Sequence, residues 1–324
     1  MWIDYAVRQW ITATGAFVRL PVLLNAAPSS GSRFPEEGDT VISLTTHGTR
    51  LKSAAAAIDS LLVGTVRLPV HLWLDPVDFH ARWADALQGL AERGLQVHES
   101  PGGLGPHTKY YGTFQKFPDR NVITVDDDVL YPRTFAQKLI DAPSDTTITA
   151  YRAHRIVLDA NGIAPYKKWR PVRSSQPSHL NFATGVDGVR YPREMVRYVG
   201  ERGTEFLDLT PRADDVWLNH CALRASWIIM TIPELPRSKG IINLWPLCHR
   251  LQLGPRGVTY GAHQSPSERV DCNVQLNRDM VHICKSVYPN TADPRRGGCL
   301  ATAGTYFAAV TAAHPSQWVP TISG

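Results

Sequence analysis

Three consecutive aspartates, Asp126, Asp127 and Asp128, follow the apolar run Val122-Ile123-Thr124-Val125. Carboxylates crowded at the end of a buried strand repel one another and raise one another's pKa, so they are costly without a cation. A divalent ion removes that cost. Mg²⁺ and Mn²⁺ prefer oxygen ligands, and one or two carboxylates suffice when phosphate oxygens complete the shell. The competing use is a polar turn, or the N-terminal cap of a helix expected over residues 131–140. A second acidic pair, Asp214-Asp215, opens a segment with helical character (Val216, Trp217, Leu218, Cys221). A carboxylate there either caps the helix or takes a proton as a general base. Lys109 falls in the first turns of a predicted helix after a glycine-containing loop, where a cation and free amides can hold an anion. The competing use is a solvated helix lysine. Arg50, just after Gly48, is weighed in the same way. Asp75 precedes Pro76 and either meets a ligand or caps the next helix.

These residues need elements that bring them together. Strands are expected at 40–44, 70–74, 95–99 and 121–125, and helices at 51–63, 79–93 and 106–117, with Gly94 capping the second helix. Strand cores at Val41, Val70, Leu95 and Val122 recur at steps of 29, 25 and 27 residues. That is the length of one βα unit, and successive units build a mostly parallel sheet with helices on both faces. Ligands of such sheets sit at the carboxyl ends of the strands. Thr45-Thr46-His47-Gly48, Asp75, residues 100–107 and Asp126–Asp128 all occupy such ends. The second half is less regular. A strand is expected at 146–151, helices at 192–198 and 213–225, and a basic loop over 152–176. Trp169 and Tyr166 in that loop are candidates to stack on a sugar ring, and the loop itself is a candidate lid or acceptor contact.

Composition bounds the class. The chain has 324 residues, 43% of them apolar and 19% charged, which suits a globular α/β domain and excludes a disordered or fibrous chain. A net charge of +5 is mild for this length and suits an anionic ligand better than nucleic acid. Five scattered cysteines with no C-x-x-C pair read as free thiols in a reducing cytoplasm. No stretch reaches the ~18 apolar residues of a membrane span. Trp2, Tyr5, Trp10, Phe17 and Leu20 can form one face of an amphipathic helix, packed on its own domain or held at the inner face of a membrane. The expected organisation is this segment and a Pro/Gly/Ser-rich connector over 1–38, a domain over 39–290 in two halves (39–130 and 131–290), and a tail over 291–324.

Taken in order, these segments resemble the GT-A-fold nucleotide-sugar-dependent glycosyltransferases, in a family 2-like, bacterial form. Asp126-Asp127-Asp128 resembles the D-x-D motif. Thr45 to Arg50 resembles the start of the nucleotide site, and Gly105 to Tyr111 the helix that reaches back over the nucleotide. Thr184-Gly185-Val186 and Tyr191-Pro192 resemble acceptor-side segments, and Ala213 to Trp217 the segment that supplies the base in inverting members. The first strand ends in Thr-Thr-His where many members have Pro-x-Tyr, and the base segment reads Asp-Asp where Glu-Asp is common.

The resemblance implies a GT-A-like (Rossmann-like) α/β fold with an irregular acceptor-side half, and transfer of a sugar to a hydroxyl acceptor such as a glycan or lipid-linked glycan. It implies a nucleoside-diphosphate sugar donor, UDP-sugar favoured, and Mn²⁺ or Mg²⁺. Donor contacts fall to Thr45, Thr46, Arg50, Asp75, Lys109, Asp126 and Asp127. Metal ligands fall to Asp128 and Asp126, with a late histidine, His263 or His282, as a further ligand. Asp215 is the implied base, with Asp214 orienting it, and Asn273 and Gln275 are weaker candidates to line the site. Two other classes fit parts of the pattern: a metal-dependent phosphohydrolase or phosphotransferase using the Asp126–Asp128 cluster, and a non-enzymatic sugar-binding module.

Overall fold

The computed structural model of the chain describes residues 32–142, 146–159, 162–164, 166–232 and 242–243. Strands β1 (Thr40–Thr45), β2 (Val70–Leu74), β3 (Gln96–Glu99) and β4 (Asn121–Thr124) alternate with helices α1 (Leu51–Leu62), α2 (Pro76–Phe79), α3 (Asp85–Glu92) and α4 (Tyr111–Lys116). There follow β5 (Val129–Leu130), α5 (Phe135–Ile140), β6 (Thr147–Ala150), β7 (Ala153–Arg155), β8 (Leu158–Asp159), β9 (Gly162–Ile163), β10 (Arg170–Pro171), β11 (Asn181–Ala183) and β12 (Val189–Tyr191). Helices α6 (Arg193–Gly200), α7 (Phe206–Leu209) and α8 (Asp214–Arg224), then β13 (Ile228–Thr231) and β14 (Ile242–Asn243), complete the described chain.

Seven strands form one sheet in the order β13-β6-β12-β4-β1-β2-β3. β1 pairs in parallel with β2 and β4, β2 with β3, and β13 with β6; β12 alone runs antiparallel, between β4 and β6. The mostly parallel α/β class expected from the sequence, with helices on both faces, is the one the described residues adopt. The antiparallel strand was not expected. Its three residues give no period, and its pairing depends on a glycine-containing turn over residues 184–188.

Strand alternation builds two cores, one on each face. Ile42, Leu44, Leu72, Leu74, Ile123 and Val125 face α1 and α3. Val41, Val122, Ile148 and Val189 face α4, α6 and α8, where Phe114, Met195, Val196 and Trp217 pack. Successive side chains of a strand point to opposite faces, so one sequence run supplies both. Burying each large aliphatic side chain contributes about 1.5–3 kcal/mol.

Two predicted helices are divided. The expected 79–93 helix is interrupted over residues 80–84, between α2, which ends at Phe79, and α3; there Trp83 folds back, its indole N–H donating to the Asp78 carbonyl at 3.1 Å and its ring edge-on to Phe79. Gly94 closes α3 at φ +96, as expected of a helix stop. In the 106–117 segment a 3₁₀ turn, Gly105–Lys109, precedes α4, with Tyr110 at φ −121 between them. The basic stretch expected as a loop instead forms β7 to β10 and a 3₁₀ turn over 166–168. Trp169 is buried there, edge-on to Phe182, with its indole N–H donating to the Ala164 carbonyl at 2.8 Å. Its ring is therefore not offered to a sugar. Among the described residues no helix is long and apolar enough to cross a membrane. Residues 1–31 of the expected N-terminal segment and connector, and the 291–324 tail, lie outside the described residues.

A buried polar chain fixes the 3₁₀ turn to the sheet. The Trp73 indole N–H donates to Thr113 Oγ1 (2.7 Å), the Thr113 and Ser43 hydroxyls lie 2.6 Å apart, and Ser43 Oγ donates to the Lys109 carbonyl (2.6 Å). The indole lies against Gly112, where a Cβ would come within 2.4 Å of ring carbons. The ring cannot retreat without breaking its bond to Thr113. Gly112→Ala should therefore destabilise the fold by about 1–3 kcal/mol, the usual cost of overpacking, read as a lowered midpoint in urea unfolding.

Candidate active site

The strand ends place the acidic cluster in a turn between β4 and β5. Helix α5 starts at Phe135, with Thr134 at its cap position, so the aspartates do not cap it. Asp126 and Asp127 are buried and Asp128 is partly exposed. Each has its own partners. Lys109 Nζ donates to Asp126 Oδ1 at 2.7 Å, and the Asp187 amide donates to Asp126 Oδ2 at 3.1 Å. The Tyr131 hydroxyl accepts the Asp126 N–H at 2.7 Å. Asp127 accepts from Arg50 and from Thr46 Oγ1, the latter at 2.6 Å. Asp128 Oδ2 lies 3.4 Å from the same Arg50.

Lys109 and Arg50 contact Asp126 and Asp127, and Asp128 is the carboxylate held at longer range. Burial pushes its pKa up to about 6, Arg50 opposes the shift, and Asp127 and Asp126 add to it. The donor set fits Mn²⁺ or Mg²⁺ as a site completed by phosphate oxygens, with Asp128 as the carboxylate least engaged by protein cations. Among the described residues no group of three or more His, Cys, Asp or Glu is arranged to hold an ion. His263 and His282, with Asn273 and Gln275, lie outside the described residues.

The lysine's setting decides its role. Its side chain is only 12% exposed, so it is not a solvated helix lysine. The second acidic pair lies within its electrostatic reach. Asp214 and Asp215 form the first turn of α8, and Asp215 Oδ1 accepts the Val216 N–H at 2.9 Å. Burial and the neighbouring Asp214 push the Asp215 carboxyl up to about 8, while Lys109 and the Val216 amide pull the other way. One oxygen of Asp215 thus serves the helix start. Gly185 in the β11–β12 turn faces Asp215, with space for a Cβ 3.7 Å from that of the aspartate. Tyr191 feels Asp214, Asp215 and Lys109, and burial raises its pKa.

His107 anchors the approach to α8. It is buried and stacked on Phe206 with ring centres 4.0 Å apart, and its Nε2 donates to the Thr210 carbonyl at 2.7 Å. The Tyr110 hydroxyl completes its other nitrogen at 3.0 Å. One 3₁₀ turn therefore carries both Lys109 and the link to the second acidic segment.

The remaining donor candidates divide. Asp75 precedes α2 without a side-chain cap; its carboxylate accepts from Ser100 Oγ at 2.7 Å, at the ends of β2 and β3. Thr46 supports Asp127. Thr45 Oγ1 donates to the Trp73 carbonyl at 2.8 Å and so ties β1 to β2. Two contributors escaped the sequence reading. Ser43, a lone hydroxyl inside an apolar strand, holds the Lys109 backbone. Asp187 holds Asp126 from a left-handed backbone at φ 70. A Gly-Val-Asp-Gly run was the only signal for that turn.

No family model and no curated protein matches the chain. Solved structures do resemble it. TarS 1–349 from S. aureus in complex with UDP-GlcNAc is 13% identical, with a TM-score of 0.46 over 87% of this chain and 76% of that one. The mannosyltransferase PcManGT from Pyrobaculum calidifontis, in complex with GDP-Man and Mn²⁺, is 14% identical, with a TM-score of 0.45 over 96% and 86%. The inositol-1-phosphate CTP transferase from T. maritima is 12% identical, with a TM-score of 0.36 over 60% and 84%. At these scores the likenesses carry no functional argument.

Two measurements probe this geometry. At position 187 both Gly and Val remove the carboxylate, but only Gly tolerates the left-handed backbone. Asp187→Val should be less stable than Asp187→Gly by about 1–2 kcal/mol in chemical denaturation. Asp215 binds its proton more tightly folded than unfolded, so its contribution to stability is complete below pH 4 and is lost as pH rises to about 8. Asp215→Asn should remove that loss, with its melting temperature gaining on the wild type as pH goes from 5 to 9.

Proposed function

We propose that this chain is a nucleotide-sugar-dependent glycosyltransferase that moves a sugar from a nucleoside-diphosphate donor to a hydroxyl-bearing acceptor with inversion. The observation that carries the reading is the convergence of two acidic clusters on Lys109. The first lies at the carboxyl end of β4 and the second at the start of α8, 89 residues apart counted from Asp126 to Asp215. A diphosphate needs cations, and a hydroxyl nucleophile needs a base of opposite character. Both lie within reach of one lysine.

Arg50 and Lys109 bind and orient the donor's phosphates. Asp75, at the ends of β2 and β3, would meet the donor's base, and Thr46 donates to Asp127, which also accepts from Arg50. A divalent cation, held by Asp128 and Asp126 with a late histidine such as His263, would supply Lewis-acid stabilisation of the departing diphosphate. Asp215 takes the proton of the acceptor hydroxyl. The hydroxyl oxygen then bonds to the anomeric carbon as its bond to the diphosphate oxygen breaks, and the nucleoside diphosphate leaves. A carboxyl pushed up to about 8 is a stronger base, once ionised, than an ordinary aspartate. Asp214 beside it raises that basicity.

The competing classes find less support. A phosphoaspartate route gives no role to the second acidic pair, Asp214-Asp215, at the start of α8. A stacking module needs an exposed aromatic platform, and Trp169 is buried.

Thermal-shift measurements with nucleoside diphosphates and their sugars, with and without Mn²⁺, test the donor. A ligand at about 100 times its Kd stabilises the native state by about 2.7 kcal/mol. Asp128→Ala should abolish the Mn²⁺-dependent part of that shift. Asp215→Asn should keep the donor-induced shift while transfer falls by roughly 10²-fold or more. Near-normal turnover in Asp215→Asn would remove the base assignment, and an unchanged shift in Asp128→Ala the metal assignment.

A further inference from the structure

A small cavity lies between α8 and the sheet, on the inner side of Asp215. About 10 Å³ of it is open to the centre of a water molecule, and it is lined by Asp215, Asn219, Tyr191 and otherwise aliphatic side chains such as Leu218 and Ile229. That is the lower limit for one ordered water, which also requires at least two polar partners. Asn219 supplies one. It is 5% exposed, and its Oδ1 has no hydrogen-bond partner among the described residues. Such an atom costs about 1–3 kcal/mol when left unpaired, so something polar belongs beside it. Asn219 stands four residues after Asp215, one turn further along the same helix face.

We propose that one buried water in this cavity donates to both Asn219 Oδ1 and the Asp215 carboxylate, making Asn219 a positioning residue for the base. The inference deepens the glycosyltransferase reading and rests on it for the word base, but the contact itself does not. The Val216 amide holds one oxygen of Asp215 at the helix start. The water steadies the carboxylate from the inside and favours its charged form. The charged and titratable groups facing Asp215 are Asp214 on its own helix, Lys109 from the 3₁₀ turn and Tyr191 from β12. Asp214 disfavours ionisation and Lys109 favours it, and neither is altered by a change at Asn219.

The test is a ¹³C-carboxyl NMR titration of Asp215 in the full chain, its resonance assigned by its loss in Asp215→Asn. Asn219→Leu removes the acceptor and fills the cavity. It should raise the Asp215 midpoint by about one pH unit, a tenfold change in proton affinity. Asn219→Ser keeps a hydroxyl and room for the water, and should stay within a few tenths of the wild type. If Asn219→Leu does not fold, the smaller Asn219→Val carries the same expectation. An unchanged midpoint in the apolar variant, or an equal shift in Asn219→Ser, overturns the proposal. The titration needs neither donor nor acceptor. A chain that shows the shift but transfers no sugar therefore supports the water contact and overturns only the catalytic role of Asp215.

Discussion

The ion pair between Lys109 and Asp126, 2.7 Å long and nearly closed to solvent, is the contact around which the site is arranged. A lysine leaves water at a cost that only a close, well-held partner offsets. Both partners are accordingly held from behind. The lysine's backbone is fixed by Ser43, and the aspartate's second oxygen by the Asp187 amide. Moving either partner by an ångström would leave a charge buried without its counterpart.

That requirement reaches into the rest of the fold. To present Lys109 at the end of β4, the segment after β3 must turn tightly before it becomes helical, and the 3₁₀ geometry with Tyr110 at φ −121 does so. The same turn carries His107 to the Thr210 carbonyl, which fixes the chain just ahead of α8. Asp187 accepts a left-handed backbone in a turn that also contains Gly185 and Gly188, both at positive φ. Strain of this kind persists where the surroundings over-determine a conformation, and here it aims an amide at a carboxylate.

The two acidic clusters differ in electrostatic character because their neighbours differ. Asp126 and Asp127 each have a full positive charge in contact. Asp128 shares Arg50 at longer range, and Asp215 has only a backbone amide and the distant influence of Lys109. Burial drives carboxylates with few counter-charges toward protonation, as it does Asp128 and Asp215. A cation-binding role and a proton-accepting role thus separate onto residues of one type, by environment alone.

The first four strands and the helices between them were legible because apolar runs and β-branched residues repeat at βα spacing, and a buried parallel strand needs little else. The acidic clusters were legible because several carboxylates beside apolar runs have few inexpensive uses. The antiparallel β12, the division of both helices and the burial of Trp169 were not legible. Each depends on a partner distant in sequence: β4 and β6 for the strand, Thr210 and Ser43 for the 3₁₀ turn, Phe182 for the indole. The sequence by itself determined which residues could do chemistry and that they would gather at strand ends. Only the tertiary structure decided which charges meet, because pairing energies depend on distances between side chains that the chain order does not encode.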